Sequence, residues 1–188
     1  MQVSLVRDRQ PAVFLDRDGV LNEPVVIDGR PHPPEGAQAL VVTPATAAAC
    51  VRLREAALLV MVTNQPDIAR GRQTRAAVDA INDELRARLP LDGVYLCPHD
   101  DPDGCSCRKP KPGMLLMAAT ELNIDLERSV MVGDRWRDVE AGRQAGCATV
   151  LVDRRYHEPR AHADLVVDTF ADAVPWILER LADGPKGG

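Results

Sequence analysis

Ala12-Val13-Phe14-Leu15-Asp16-Arg17-Asp18-Gly19-Val20-Leu21-Asn22 decides how the rest of the chain is read. Four apolar residues run straight into two aspartates separated by one residue, followed by a glycine. On an extended segment, side chains two apart point the same way. Asp16 and Asp18 are therefore expected to face one pocket at the carboxyl end of a buried strand, where open α/β sheets hold their ligands. Two carboxylates at one point repel. A divalent cation answers that repulsion, and so does a raised pKa that keeps one group protonated. A plain polar turn is the competing explanation, because Asp and Gly both favour turns. The remaining sequence weighs against it by supplying partners in a consistent order.

Outward from this stretch, residues 23–44 are rich in proline and short polar residues, with Asp28-Gly29 marking a turn. They read as a loop or small hairpin forming a flap over the aspartates. An alanine-rich helix over 45–57 is entered at Thr43-Pro44. Leu58 to Thr63 is a continuous apolar run, expected to be a strand buried on both faces and to stop at a polar turn, Thr63-Asn64-Gln65-Pro66. Thr74 caps a helix carrying Val78, Ile81, Leu85 and Leu89 at helical spacing. Further strands are expected at 93–96, 130–132, 148–152 and 165–167, with helices at 114–122 and 136–144, the latter closed by Gly146. A last helix over 172–181 takes Pro175 in its first turn, and 184–188 reads as a flexible tail. Strands alternating with helices predict an α/β fold: a three-layer, mostly parallel sheet with helices on both faces, forming one domain over 1–183.

A chain of 188 residues with 45% hydrophobic content is long enough for a sizeable core, and with aromatics at 3% its packing falls to Leu, Val and Ala. The formal charge of -5 argues against a general nucleic-acid or anionic-membrane binder, which needs a basic surface. No run reaches the roughly 18 apolar residues of a membrane helix. Met1 to Gln10 lacks the apolar segment of a signal peptide. The default expectation is a cytoplasmic protein, a monomer or small oligomer.

Three expected strands end in polar turns that the sheet would bring to one edge: Asp16/Asp18, Thr63/Asn64 and Gly133-Asp134. Asp134 would join Asp16 in holding a hard cation, with Mg²⁺ favoured by oxygen ligands. Thr63 and Asn64 can hydrogen-bond phosphate oxygens, and Lys109 supplies positive charge beside the metal. In outline this is a phosphoryl-transfer site, where positioning and charge neutralisation carry most of the catalysis.

Asp16-x-Asp18-Gly19, Thr63-Asn64, Lys109 and Gly133-Asp134-x-x-x-Asp138 resemble the four ordered motifs of the haloacid dehalogenase (HAD) phosphatase superfamily, over roughly residues 12–152. The resemblance implies a Rossmann-like sheet and an aspartyl-phosphate mechanism. Asp16 would attack phosphorus, and Asp18 would protonate the leaving alkoxide and then act as base on water. Asp16, Asp134 and the backbone carbonyl of Asp18 would bind Mg²⁺, Thr63 and Lys109 would hold the phosphoryl oxygens, and Asp138 would orient Lys109 or close the metal shell.

A second signature is Cys97-x-His99-x5-Cys105-x-Cys107. Three thiolates and an imidazole suit tetrahedral Zn²⁺, and four protein ligands leave no open position, so the site over 97–107 is expected to be structural. Arg108-Lys109 follows the last ligand directly, so this metal would set the position of the lysine. Cys50 and Cys147 read as small buried residues. This loop resembles the branch of the superfamily containing heptose-bisphosphate and histidinol-phosphate phosphatases. Ile68-Ala69-Arg70-Gly71 and Arg108-Lys109-Pro110-x-Pro112-Gly113-Met114 lean toward the heptose side, whose activity serves the biosynthesis of nucleotide-activated heptose. That resemblance implies a sugar-bisphosphate partner contacted by Arg108, with Asn64, Gln65 and Arg135 nearby. Pro66-Asp67 and Arg135 depart from the branch's usual Ser-Gly and lysine, and Arg and Lys differ at a phosphate. Without a large cap domain, a small soluble substrate or an open site is expected. Histidinol phosphate is the second candidate substrate, and a zinc-stabilised binding protein without turnover is the third reading.

Overall fold

The computed structural model describes residues 9–27 and 30–183. The expected Asp28-Gly29 turn, the 184–188 tail and most of the Met1–Gln10 segment lie outside the described residues.

Six parallel strands form the central sheet. They are β1 (Ala12–Leu15), β4 (Leu58–Asn64), β5 (Gly93–Cys97), β6 (Val130–Gly133), β7 (Ala148–Val152) and β8 (Leu165–Val167), in the order β5-β4-β1-β6-β7-β8. A separate antiparallel pair, β2 (Val25–Ile27) and β3 (Arg30–His32), leaves the sheet after β1, and a short 3-10 turn follows at Ala37–Ala39. The segment expected to form a flap thus contains an antiparallel strand pair and a return segment.

The strands explain the layers by simple alternation. Val13 and Leu15 of β1, Leu59 and Met61 of β4, and Val130 and Val132 of β6 face one core. There they meet Leu53 of α1 (Pro44–Arg54), Ile81 and Leu85 of α2 (Arg75–Arg88), and Ile177 of α5 (Phe170–Asp183). Ala12, Phe14, Val60, Val62 and Met131 face the opposite core. Their partners are Met114, Leu115 and Ala118 of α3 (Gly113–Glu121) and Ala141 and Ala145 of α4 (Trp136–Ala145). Burial on both sides is why these strands read as unbroken apolar runs.

Thr43 caps α1 as expected, its hydroxyl accepting from the Thr46 N–H at 3.1 Å. Several boundaries differ from the sequence expectation by one to three residues, and three of these differences bear on the argument. The first helix ends at Arg54, three residues early, because the chain must turn at once into β4. Asn64 belongs to β4, paired across to Cys97, so the strand outlasts its apolar run. The last helix begins at Phe170, which puts Pro175 in the second turn, where the missing N–H leaves the Ala171 carbonyl without its helical donor. The buried stripe Phe170, Ala173, Val174, Ile177 and Leu181 outweighs that defect.

From β1 the chain goes to β4 on one side and later to β6 on the other, so the strand order reverses at β1. The carboxyl ends of β4, β1 and β6 therefore open a crevice.

Candidate active site

That crevice is a cavity of about 460 Å³. Asp16 and Asp18 from the end of β1, Thr63 and Asn64 from β4, Gln65, Arg108, Lys109, Arg135 and Asp138 all line it. Asp134, 4% exposed, brings a carboxylate oxygen within 4.8 Å of those of Asp16 and Asp138. The sequence-predicted residues thus converge from four separate segments.

Lys109 is the hub. Its Nζ lies 2.7 Å from Asp16 Oδ1, 2.6 Å from Asp138 Oδ1 and 2.8 Å from the Val62 carbonyl, so each of its three hydrogens has an acceptor. Its backbone is clamped as well: the Asn64 amide donates to the Lys109 carbonyl at 3.0 Å and accepts from its N–H at 3.1 Å. Asn64 thereby positions the lysine from the cavity wall. Asp138 does two things at once, since its Oδ2 also accepts the Arg135 N–H at 3.0 Å and so caps α4. A side chain at position 133 would put its Cβ 2.0 Å from Asp138 Cβ, which is why that position is glycine.

Asp16 and Asp18 play different parts. The Asp18 carboxylate accepts from Arg17 Nη2 at 2.8 Å, Asn22 at 3.1 Å and Gln65 at 2.9 Å. Arg17 is wholly buried and also reaches Asn82 of α2 at 3.1 Å. Gln65 donates in addition to Thr63 Oγ1 at 3.0 Å, which leaves the threonine's own hydrogen for a ligand. Asp16 instead joins Asp134 and Asp138 in a group whose ligand oxygens lie within 4.8 Å of one another.

The electrostatics follow from burial. Desolvation lifts the Asp16 pKa to about 6, opposed by the Lys109 ammonium and reinforced by Asp138. Asp134 is pushed well above the carboxylate range by burial and by Asp16 and Asp138, with the Tyr156 hydroxyl and Arg135 pulling the other way. Burial works against the charge on Lys109, but Asp138 and Asp16 hold its pKa above the ordinary lysine value.

The donor set fits a hard divalent cation. Asp134 Oδ2 accepts from Tyr156 Oη at 2.9 Å, while its Oδ1 is buried without any hydrogen-bond partner. A buried carboxylate oxygen without a partner, close to Asp16, suits a Mg²⁺ ligand. Gly19, at φ +93°, lies so close that a Cβ there would sit 1.8 Å from Asp134 Oδ2.

Beside the cavity, Cys97, His99, Cys105 and Cys107 gather their ligand atoms within 4.8 Å. The Sγ–Sγ separations are 3.2, 3.4 and 3.7 Å, and His99 Nδ1 lies 3.3 Å from Cys107 Sγ. These approach the roughly 3.3–3.8 Å edges of a tetrahedron with zinc-like bond lengths. The acidic tip of this loop also organises the cavity rim. Asp100 binds Arg70 at 2.6 and 2.7 Å, and Asp101 binds Arg108 at 2.7 Å and Arg137 at 3.1 and 3.3 Å.

Four residues with no part in the sequence reading belong to the site. Arg17 lies between the two aspartates in the sequence, its guanidinium buried against the Asp18 carboxylate and Asn82. Arg154, Tyr156 and Glu158 come from the crossover after β7. Arg154 Nη2 donates to the Gly19 carbonyl at 2.9 Å, Tyr156 to Asp134, and Arg135 Nε donates to Glu158 Oε1 at 2.8 Å. They follow Val152 on a polar segment outside any strand, in which Arg155 adopts φ +58°, so no local periodicity marks them.

A doubly wound parallel sheet with this carboxylate–lysine group at its switch point is the architecture of HAD-like hydrolases, and a family model described as HAD-hydrolase-like matches residues 106–173. A D-glycero-beta-D-manno-heptose-1,7-bisphosphate 7-phosphatase of Yersinia pestis is 39% identical, with 94% of each chain covered. The enzyme of that name from Escherichia coli K12 is 36% identical over 94% of this chain and 92% of its own. The chain belongs to this heptose-bisphosphate phosphatase family. Among solved structures, a D,D-heptose 1,7-bisphosphate phosphatase from Bordetella bronchiseptica, complexed with magnesium and phosphate, superposes with a TM-score of 0.74 at 32% identity, covering 90% of this chain and 98% of its own. A HAD-like phosphatase from Mesorhizobium loti gives the same TM-score at 31% identity, covering 96% and 90%. Among the described residues, no helix is long and apolar enough to cross a membrane.

Proposed function

We propose that this chain is a Mg²⁺-dependent phosphatase that removes the 7-phosphate of D-glycero-D-manno-heptose 1,7-bisphosphate through an aspartyl-phosphate on Asp16. The observation that carries this reading is the Asp16 carboxylate fixed 2.7 Å from a buried ammonium on the floor of an open, arginine-rimmed cavity. The kinship with enzymes of that name supports the choice of substrate.

Asp16, Asp134 and the Asp18 backbone carbonyl would hold the ion, which supplies positive charge to the phosphoryl oxygens. Asp16 attacks phosphorus and the alkoxide leaves, taking a proton from Asp18. Asp18 then removes a proton from the water that cleaves the acyl phosphate. Arg17 and Gln65 keep the Asp18 carboxyl aimed, and Lys109 with Thr63 neutralises and orients the phosphoryl group. Arg108 and Arg135 stand on the wall that faces the rest of the substrate.

Steady-state kinetics with heptose bisphosphate, as both anomers, and with histidinol phosphate test the assignment. We expect kcat/KM for the heptose to exceed that for histidinol phosphate by more than tenfold. The reverse order would move the protein to the histidinol reading, and no turnover of any phosphomonoester would favour a binding protein.

Zinc in the Cys97–His99–Cys105–Cys107 site is part of the same proposal. Purified protein should carry about one equivalent of zinc by elemental analysis. Cys107→Ser should lower that content and cut kcat at least about tenfold, because Lys109 lies two residues past the lost ligand. Active protein free of zinc would remove this metal from the account.

A further inference from the structure

The crossover after β7 brings one more carboxylate to the cavity than phosphoryl transfer requires. Glu158 lines the same wall as Arg135, with its side chain 19% exposed. Both Nε and Nη2 of Arg135 donate to a single oxygen, Oε1. The other, Oε2, is buried and has no hydrogen-bond partner. Glu158 is also not among the carboxylates that gather around Asp16, Asp134 and Asp138, so it does not face the cation position.

We propose that Glu158 is a specificity-determining residue that accepts, on Oε2, a hydrogen bond from a hydroxyl of the sugar leaving group. This rests on the sugar-phosphatase reading and extends it to the end of the substrate that does not react. An ionised carboxylate can only accept, and a buried acceptor without a donor stays desolvated at a cost until one arrives. A phosphate dianion at that oxygen would meet a like charge. A cationic group would compete with the arginine already there. A neutral hydroxyl satisfies the oxygen without disturbing the ion pair.

The assignment also changes what Arg135 offers. Its charge is already met by Glu158, so the pair acts as a neutral unit with one unpaired acceptor, suited to a polyol rather than to a second phosphate.

The segment that delivers Glu158 is held in place. Arg154 reaches the Gly19 carbonyl at 2.9 and 3.1 Å, and Nη1 reaches Glu23 at 3.1 Å. Tyr156 is fixed on Asp134, and the Glu158 N–H donates to the Tyr156 carbonyl at 2.9 Å. An acceptor anchored this way is preorganised, which is what lets a buried polar group discriminate between ligands that can and cannot pair with it.

The test compares kcat/KM for two sugar substrates, heptose bisphosphate and mannose 6-phosphate, with that for p-nitrophenyl phosphate, whose leaving group has no hydroxyl to donate. In Glu158→Ala the sugar-to-aryl ratio should fall about ten- to a hundredfold, mostly through KM. Glu158→Gln keeps the shape but presents an amide donor in place of the unpaired oxygen, and should lower the ratio less; it also serves if the alanine variant folds poorly. An unchanged ratio on both sugars overturns the proposal. So does a parallel fall on all three substrates, which would make Glu158 only a prop for Arg135. Wild-type protein that refuses heptose bisphosphate but accepts mannose 6-phosphate would overturn the heptose assignment while leaving the Glu158 ratio readable on the second sugar. Refusal of both sugars with turnover of the aryl ester would overturn both.

Discussion

Asp16→Asn should lose phosphatase turnover by at least roughly a thousandfold while keeping the fold. The amide matches the carboxylate in shape but is a poor nucleophile toward phosphorus, and it cannot neutralise a cation. Stability should change little, because two effects oppose. Burial already disfavours the Asp16 carboxylate, as its pKa of about 6 records, so a neutral side chain removes a desolvated charge and its repulsion from Asp138 and Asp18. Against that, Lys109 loses one of two carboxylate partners but keeps Asp138 at 2.6 Å and the Val62 carbonyl at 2.8 Å. Thermal melting by circular dichroism and steady-state kinetics on the same preparation separate the two readouts. Turnover within tenfold of wild type would end the aspartyl-phosphate mechanism, and a collapsed melting transition would show that Asp16 is needed for the fold rather than for attack.

Most of the sheet and much of the candidate site are legible in the sequence, for a physical reason. Strands buried on both faces, such as Val13–Leu15 and Leu59–Val62, must be continuously apolar, and ligand-binding residues sit where such runs stop. Each run therefore announced both its strand and its contribution to the crevice. The zinc-type cluster was legible because no common structural role packs three cysteines and a histidine into eleven residues. What escaped was of another kind. Arg154, Tyr156 and Glu158 follow a strand on a polar segment with no apolar stop, so nothing in their composition marks them. Arg17 carries no assignment from the sequence, yet it is fully buried because Asp18 and Asn82 supply its acceptors. Asn64 read as a turn residue, and only the register with Cys97 shows it as the last residue of a strand. Partners that depend on tertiary register leave no local pattern to find.

Lys109→Met should be the most damaging single change in both stability and activity. Methionine fills the space, but it leaves the buried Asp16 and Asp138 carboxylates facing each other without the ammonium between them. Removing one member of a buried ion pair costs about 3–5 kcal/mol, chiefly through the charge left behind. Lys109 is 2% exposed, so solvent does little to screen that loss. The pH dependence identifies the cause. The Asp16 carboxyl already titrates near 6 in the folded protein, above its ordinary value, and loss of its nearest cation moves it further up. A carboxyl raised in the folded state binds more protons there than in the unfolded chain, so folding gains as pH falls through that window. The deficit of Lys109→Met relative to wild type should therefore shrink from pH 7.5 to pH 5. Urea unfolding at the two pH values, without added magnesium, measures this directly. A deficit equal at both would mean that the lysine matters through packing, and phosphatase activity within tenfold of wild type would remove it from the catalytic group.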